Sequence, residues 1–171
     1  MKYDIISTQP EDLNEIISYF YAAIEYQKKN NFPVWPDFDK GLLKQDILDR
    51  VQYKIMIHNE IGCVFTICDS DPIIWREKND DNAIYLHRIV VNPKHKGNRF
   101  FGYVKDWAID YARTNHIPHI RFDTWADNPT IIDYYRDFGF KIVDYYTTPD
   151  TEDLPIQQRG NDVVLFEIKL D

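Results

Sequence analysis

Cysteine, glycine and basic residues are all scarce in this chain, and each shortage closes off a class of protein. Two cysteines in 171 residues supply no disulfide framework. Cys63 and Cys68 fall on one strand-like run at odd separation, so their side chains point to opposite faces and cannot bridge. Two buried, unpaired thiols acting as small core residues fit a reducing cytosol. Lysine and arginine number 20 against 28 acidic residues, a net charge of -8. A general nucleic-acid binder needs a basic face to neutralise phosphates, so that class is argued against. Small anionic ligands stay open, because a basic pocket can sit on an acidic protein. Neither Gly-x-Gly-x-x-Gly nor Gly-x-x-x-x-Gly-Lys-Ser/Thr occurs, which removes the common nucleotide-binding fingerprints. No apolar run approaches the length of a membrane-spanning helix. Met1-Lys2-Tyr3-Asp4 leads through a short apolar piece into Pro10-Glu11-Asp12, without the pattern of a secretory signal. A cytoplasmic protein without membrane or nucleic-acid partners is expected.

What is present is apolar and aromatic. At 44 % hydrophobic and 15 % aromatic, the chain can fill one core, and it is too short for two ordinary domains. A single domain over residues 1–171 is expected, since no repeat or linker interrupts the order of elements. Ile5 to Thr8 reads as a strand, and Thr8-Gln9-Pro10-Glu11 has capping-box spacing. Leu13, Ile16, Ile17, Phe20 and Ile24 follow at helical intervals, giving a helix over 9–29. A shorter helix is expected at about 40–50. Residues 52–58 and 61–68 form a hairpin around Asn59-Glu60, the second arm apolar on both parities as in a central strand. After a polar loop through Asp69, Asp71 and Asp80, a strand runs from Ile84 to Val91 and stops at Asn92-Pro93. A helix at 101–114, a strand at 119–125 and a helix capped by Asn128 and ended by Gly139 follow. Strands at 140–146 and 163–170, joined by a polar loop, close an α+β fold. Its strands lie mostly in hairpins, with one strand–helix–strand crossover at 84–125.

Two stretches carry chemistry. In Leu86-His87-Arg88-Ile89-Val90-Val91-Asn92-Pro93-Lys94-His95-Lys96-Gly97-Asn98-Arg99-Phe100-Phe101-Gly102 a strand ends, a basic turn follows and a helix begins. Free N–H groups and the positive end of a helix dipole suit an anion there, and Lys94, Lys96 and Arg99 reverse the local charge. The same loop also reads as solvated surface. In Asn128-Pro129-Thr130-Ile131-Ile132-Asp133-Tyr134-Tyr135-Arg136-Asp137-Phe138-Gly139-Phe140, Tyr135 either packs on the sheet or turns its hydroxyl into a cleft as an acid.

In this order and separation the two stretches resemble the GNAT superfamily of acyl-CoA-dependent N-acetyltransferases. Val91, Pro93, Lys96 and Gly97 fall on its Val-x-Pro-x-x-Arg-Gly-x-Gly-x-Gly/Ala motif, and Asn128, Tyr135, Gly139 and Phe140 on its Asn…Leu-Tyr-x-x-x-Gly-Phe motif. His87-Arg88-Ile89 and Arg121-Phe122-Asp123-Thr124 further resemble a bacterial subgroup. Lys96 replaces the usual arginine or glutamine, Arg99 stands at the second glycine, and Phe101 stands at the final small position. Glycine lets backbone approach phosphate and take positive φ, so Arg99 and Phe101 are expected to obstruct that approach unless Arg99 offers its own charge.

The resemblance implies a central mixed, mostly antiparallel sheet of about six to seven strands flanked by about four helices. It implies transfer of an acetyl group from acetyl-CoA, as cosubstrate and without a metal, to a primary amine by direct attack. Acetyl-CoA would meet Ile89, Val90, Val91, the turn Lys96, Gly97, Asn98, Arg99, Phe100, Phe101 and Gly102, and also Asn128 and Tyr135. A backbone N–H near Ile89 to Val91 would receive the oxyanion, and Tyr135 would protonate the leaving thiolate. Asn128 would contact the pantetheine arm or brace the helix start. The base is His87 or Asp123, against plain structural roles for both, with Asp123 pairing to Arg121 or Arg88. The acceptor pocket would take walls from Tyr26, Phe32 and Trp35 and negative charge from Glu25, Asp37 and Asp39. Because of Arg99 and Phe101, a CoA-binding or interaction module impaired in turnover is the alternative. The expected state is a monomer or a homodimer.

Overall fold

A computed structural model describes residues 3–80 and 82–170. Strand β1 (Asp4–Ser7) leads into α1 (Leu13–Lys29) and α2 (Lys40–Leu48), followed by the hairpin β2 (Gln52–Ile57) and β3 (Glu60–Cys68). A short α3 (Pro72–Trp75) precedes β4 (Ala83–Val91), α4 (Phe100–Thr114) and β5 (His119–Trp125). Helix α5 (Pro129–Asp137), β6 (Lys141–Thr147) and β7 (Asp162–Lys169) complete the fold. The strands form one seven-stranded sheet in the order β1-β2-β3-β4-β5-β7-β6. Every neighbouring pair is antiparallel except β4 and β5, which α4 joins as the expected crossover. The expected α+β architecture is therefore present, with α3 as a fifth helix in what the sequence suggested was loop.

The start of α1 differs from expectation. Thr8 is buried and does not cap; its hydroxyl donates to the Gln52 carbonyl at 3.1 Å, tying the chain to β2. The capping box sits one residue later, with the Asp12 carboxylate accepting from the Gln9 N–H at 2.7 Å. The hairpin turns through His58 and Asn59, both at positive φ (49° and 67°), as a tight two-residue turn requires.

The sheet has two unlike faces. On one, Phe100, Phe101, Val104, Ala108 and Ala112 of α4 pack on Ile55, Cys63, Phe65, Leu86, Ile120, Phe122 and Phe166. That face is dry and aromatic. On the other, Ile16, Phe20 and Ile24 of α1 and Leu43 and Ile47 of α2 pack on Ile61, Val64 and Val90. Three ion pairs lie on this face, each at 2.7 Å: Lys54 with Asp12, Arg88 with Asp46 and, beside Trp75 and Tyr85, Arg121 with Glu167. Cys63 is buried on the dry face. Cys68, at the end of β3, is half-buried instead of fully buried, and both thiols are free.

One irregularity organises the centre. Val64 pairs with Val90 and Thr66 with His87, so Phe65 alone lies opposite Arg88 and Ile89. This is a β-bulge, with Arg88 at φ 51°. Its effect is to put His87 and Arg88, consecutive in sequence, on the same charged face, where they meet Asp71 and Asp46.

Candidate active site

Strands β4 and β5 pair only through Ala83–His119, Ile84–Ile120 and Tyr85–Arg121. Beyond these the strands part, and the β4 edge from Leu86 to Val91 faces a cleft of about 570 Å³ instead of a partner strand. Phe122 to Trp125 form the opposite wall. Backbone N–H groups on an unpaired edge are available to a ligand.

At one end of the cleft the chain turns from β4 into α4. Asn92 fixes this turn: its buried amide donates to the Ile61 carbonyl at 2.7 Å and its oxygen accepts from the Lys94 N–H at 3.1 Å. Gly97 takes φ 90° and Arg99 takes a left-handed conformation (φ 51°, ψ 43°) to start α4 without a side-chain cap. Arginine thus adopts the backbone shape for which glycine is the usual choice. The uncapped first turn leaves N–H donors and the positive end of the dipole for an anion. Of the three basic residues, Lys94 joins His95 at Glu60 (3.6 and 2.9 Å). Lys96 lies 3.2 Å above the Tyr26 ring, and Arg99 lies 5.1 Å from the Phe138 ring centre; both line the cleft.

At the other end three titratable groups meet. The His87 Nε2 is 3.3 Å from an Asp71 carboxylate oxygen, with the His87 side chain 8 % exposed. Asp123 completes a group whose donor atoms all lie within 4.8 Å of one another. Burial pushes the Asp123 carboxyl up to about 6; His87 opposes that shift and Asp71 adds to it. Asp71 stands at the start of α3 without capping it, which leaves its carboxylate free to reach His87. That Asp71 oxygen is buried, and its approach to His87 is its close polar contact without hydrogen-bond geometry among the described residues. Such a cluster can share a proton or ligate one divalent cation. Between the two ends stands Tyr135, its ring against Phe101 (4.5 Å) and Phe122 (4.6 Å). Burial raises its pKa above the ordinary phenol value, so it remains a proton donor at neutral pH.

Residues 24–140 match the model of the acetyltransferase (GNAT) family. This chain belongs to that family. Among relatives, the uncharacterized N-acetyltransferase YesJ of Bacillus subtilis is 22 % identical over 141 residues, covering 78 % of each chain. A GNAT-family acetyltransferase of Listeria monocytogenes superposes with a TM-score of 0.77 at 18 % identity, over 98 % of this chain and 95 % of that one. A Salmonella typhimurium protein, described as an acetyltransferase with its cofactor acetyl-CoA, gives 0.69 at 15 % identity, over 100 % and 95 %.

Within this GNAT-type acetyltransferase, most of the expected cosubstrate residues line the cleft: Ile89, Val90, Val91, Lys96, Gly97, Arg99, Phe100, Phe101 and Tyr135. Asn98, Gly102 and Asn128 do not. Asn98 donates to the His95 carbonyl at 2.8 Å, and Gly102 sits close under Phe138 where α4 meets α5. Asn128 caps α5 through the Ile131 N–H at 3.2 Å, so it braces the helix start. Phe101 is buried among Phe122, Tyr135, Phe138 and Phe140 and lies in the aromatic core. Arg99 bends as glycine would, and Phe101 packs into the aromatic core while also lining the cleft.

The structural roles considered for Asp123 are also absent. Arg121 is held by Glu167 and Arg88 by Asp46, which leaves Asp123 to His87 and Asp71. Tyr26 and Trp35 line the cleft as expected, whereas Phe32 packs outside on Tyr26. Glu25 pairs with Lys28, Asp39 caps α2, and Asp37 accepts from the Phe38 N–H. Negative charge at this end of the cleft belongs to Asp123, with Asp71 beside His87 in a stretch that reads as polar loop in sequence. The sequence signal at Asp71 is Asp-Pro, a helix start. Gln157, Gln158 and Asn161, from the loop before β7, also line the cleft.

Proposed function

We propose that this acetyltransferase moves an acetyl group from acetyl-CoA to a primary amine by direct attack within the cleft between β4 and β5. The observation that carries the reading is the parted pair of strands, with His87 on the open β4 and Asp123 on β5 meeting beside the cleft. The uncapped start of α4, with Lys96 and Arg99 beside it, suits the diphosphate. The Salmonella typhimurium neighbour with acetyl-CoA supports the choice of cosubstrate.

The His87–Asp123 pair takes a proton from the acceptor, since only a neutral amine attacks. As the C–N bond forms, a backbone N–H between Ile89 and Val91 receives the developing oxyanion. As the C–S bond breaks, Tyr135 gives its proton to the leaving thiolate. The unpaired thiols Cys63 and Cys68 fit a cytoplasmic setting. The left-handed backbone of Arg99 and the inward packing of Phe101 support this reading over a binding module impaired in turnover.

The test is thiol release from acetyl-CoA with a panel of primary amines. Asp123→Ala should lower kcat by about 10²–10⁴-fold, the usual worth of a positioned base. Tyr135→Phe should lower kcat while calorimetric affinity for acetyl-CoA stays the same. Wild-type rates in both variants would sink the assignment.

A further inference from the structure

The acceptor end of the cleft has a definite chemistry. Its titratable groups on the described lining are His87 and Asp123, and Asp71 stands outside the lining, 3.3 Å from the His87 Nε2. The remaining cations of the cleft are committed or distant from it in function: Arg88 is paired with Asp46 at 2.7 Å, and Lys96 and Arg99 belong to the turn before α4. An acceptor amine is a cation before it is deprotonated, and two carboxylates favour it there. A carboxylate on the same molecule would meet Asp123, while the two cations of the lining without an acidic partner, Lys96 and Arg99, belong to the turn before α4. Like charges at that distance discriminate strongly in a partly desolvated site.

The next shell outward is aromatic. Trp125 lies two residues beyond Asp123 on β5 and on the same face, about 6–7 Å along the strand by ordinary strand geometry. Trp35, from the link between α1 and α2, meets Trp125 with ring centres 6.1 Å apart, and Phe20 stacks behind Trp35 at 5.9 Å. Both tryptophans line the cleft and are half-buried. The spacing from carboxylate to aromatic wall matches an amine carried on a short chain from a ring. A further feature points to a ligand: Gln157, 6 % exposed and on the same lining, has a side-chain oxygen with no donor among the described residues. A phenol O–H or indole N–H on the ring would supply one.

Resting on the amine-acetyltransferase reading, we infer that the acceptor is a primary arylalkylamine without a carboxylate, its ammonium at Asp123 and its ring against Trp35 and Trp125. Aliphatic amines lack the ring, and free aromatic amino acids add the unwanted charge.

The experiment compares tyramine, tryptamine, tyrosine, tryptophan and butylamine as acceptors at saturating acetyl-CoA. Tyramine or tryptamine should exceed its parent amino acid in kcat/KM by about 100-fold or more, and butylamine by about 10-fold, the scale of one unpaired charge and one lost apolar group. Trp125→Ala should lower kcat/KM for tyramine more than for butylamine. Equal rates for tyramine and tyrosine, or butylamine as the better acceptor, would overturn the inference while leaving amine acetylation intact. If no amine releases thiol although acetyl-CoA binds, the enzymatic reading fails separately. Calorimetry of tyramine and tyrosine with the CoA-saturated protein then decides: binding of tyramine alone sustains the inference, and binding of neither or both overturns it.

Discussion

The two faces of the sheet solve different problems with the same strands. Under α4 and α5 the contacts are aromatic and aliphatic, from Phe65 through Phe101, Phe122 and Phe166, with no ion pair among them. Under α1 to α3 the strands carry Asp123 and the bases Lys54, His87, Arg88 and Arg121, each base within reach of a buried or half-buried acid. A dry face packs tightly and holds a backbone shape, which is what the turn into α4 needs. A charged face stores unpaid desolvation, which is how a carboxyl is tuned. The cleft opens where β4 and β5 part, so both environments reach it: Phe101 and Tyr135 from one side, His87 and Asp123 from the other.

Breaking the charged face at its most buried pair should have the largest effect. Arg88→Met leaves the buried Asp46 with Thr66 as its remaining side-chain hydrogen-bond donor among the described residues, and stability in urea should fall by about 3–5 kcal/mol. Adding Asp46→Leu should restore most of the loss, since a matched apolar pair needs no desolvation. A single variant as stable as wild type would show that the pair is solvated. On the dry face the vulnerable point is Gly62, where an added Cβ would lie 2.6 Å from the Phe100 ring. Gly62→Ala should destabilise by about 1–3 kcal/mol through overpacking, and Phe100→Leu should recover part of it. No recovery would place the strain elsewhere.

The smallest effect sharpens the contrast through pH. The Asp123 carboxyl is raised from 3.8 to about 6, so the folded state prefers it protonated. Its favourable contribution is full below about pH 4 and is lost as pH rises through about 6. Asp123→Asn has no such loss. The variant should therefore gain about 1 kcal/mol over wild type at pH 8 and nothing at pH 4, the figure being reduced for water in the cleft. A pH-independent difference in Tm would mean that Asp123 ionises as an ordinary surface acid.

The order of elements was legible because apolar spacing changes from helical to alternating at nearly every boundary, as at Val91 and Phe101. The cosubstrate end was legible from a basic turn between strand and helix. Its backbone was not: a rule about glycine describes which residues bend easily, and Arg99 bends without being one. Asp71 was hidden because its meeting with His87 and Asp123 depends on how a loop folds over a strand. The aromatic lining of the cleft was half visible, through Tyr26 and Trp35; Trp125 ends an expected strand and Gln157 sits in a polar loop, and neither carries a signal that points to the cleft. The bulge at Arg88 was masked by Ile89, Val90 and Val91, which are apolar on either parity and suit both phases of the strand.

That masking has a consequence for how the site tolerates change. Upstream of Arg88 even-numbered side chains such as Leu86 face α4, and downstream the odd-numbered Ile89 and Val91 do. One extra residue works as a phase shifter in an otherwise two-beat rhythm. Deleting it would keep nearly the same composition and the same hydrophobicity, yet it would restore an unbroken ladder with β3 and remove the bend that a bulge imposes. The course of β4 is thus encoded by how many residues it contains as much as by which ones.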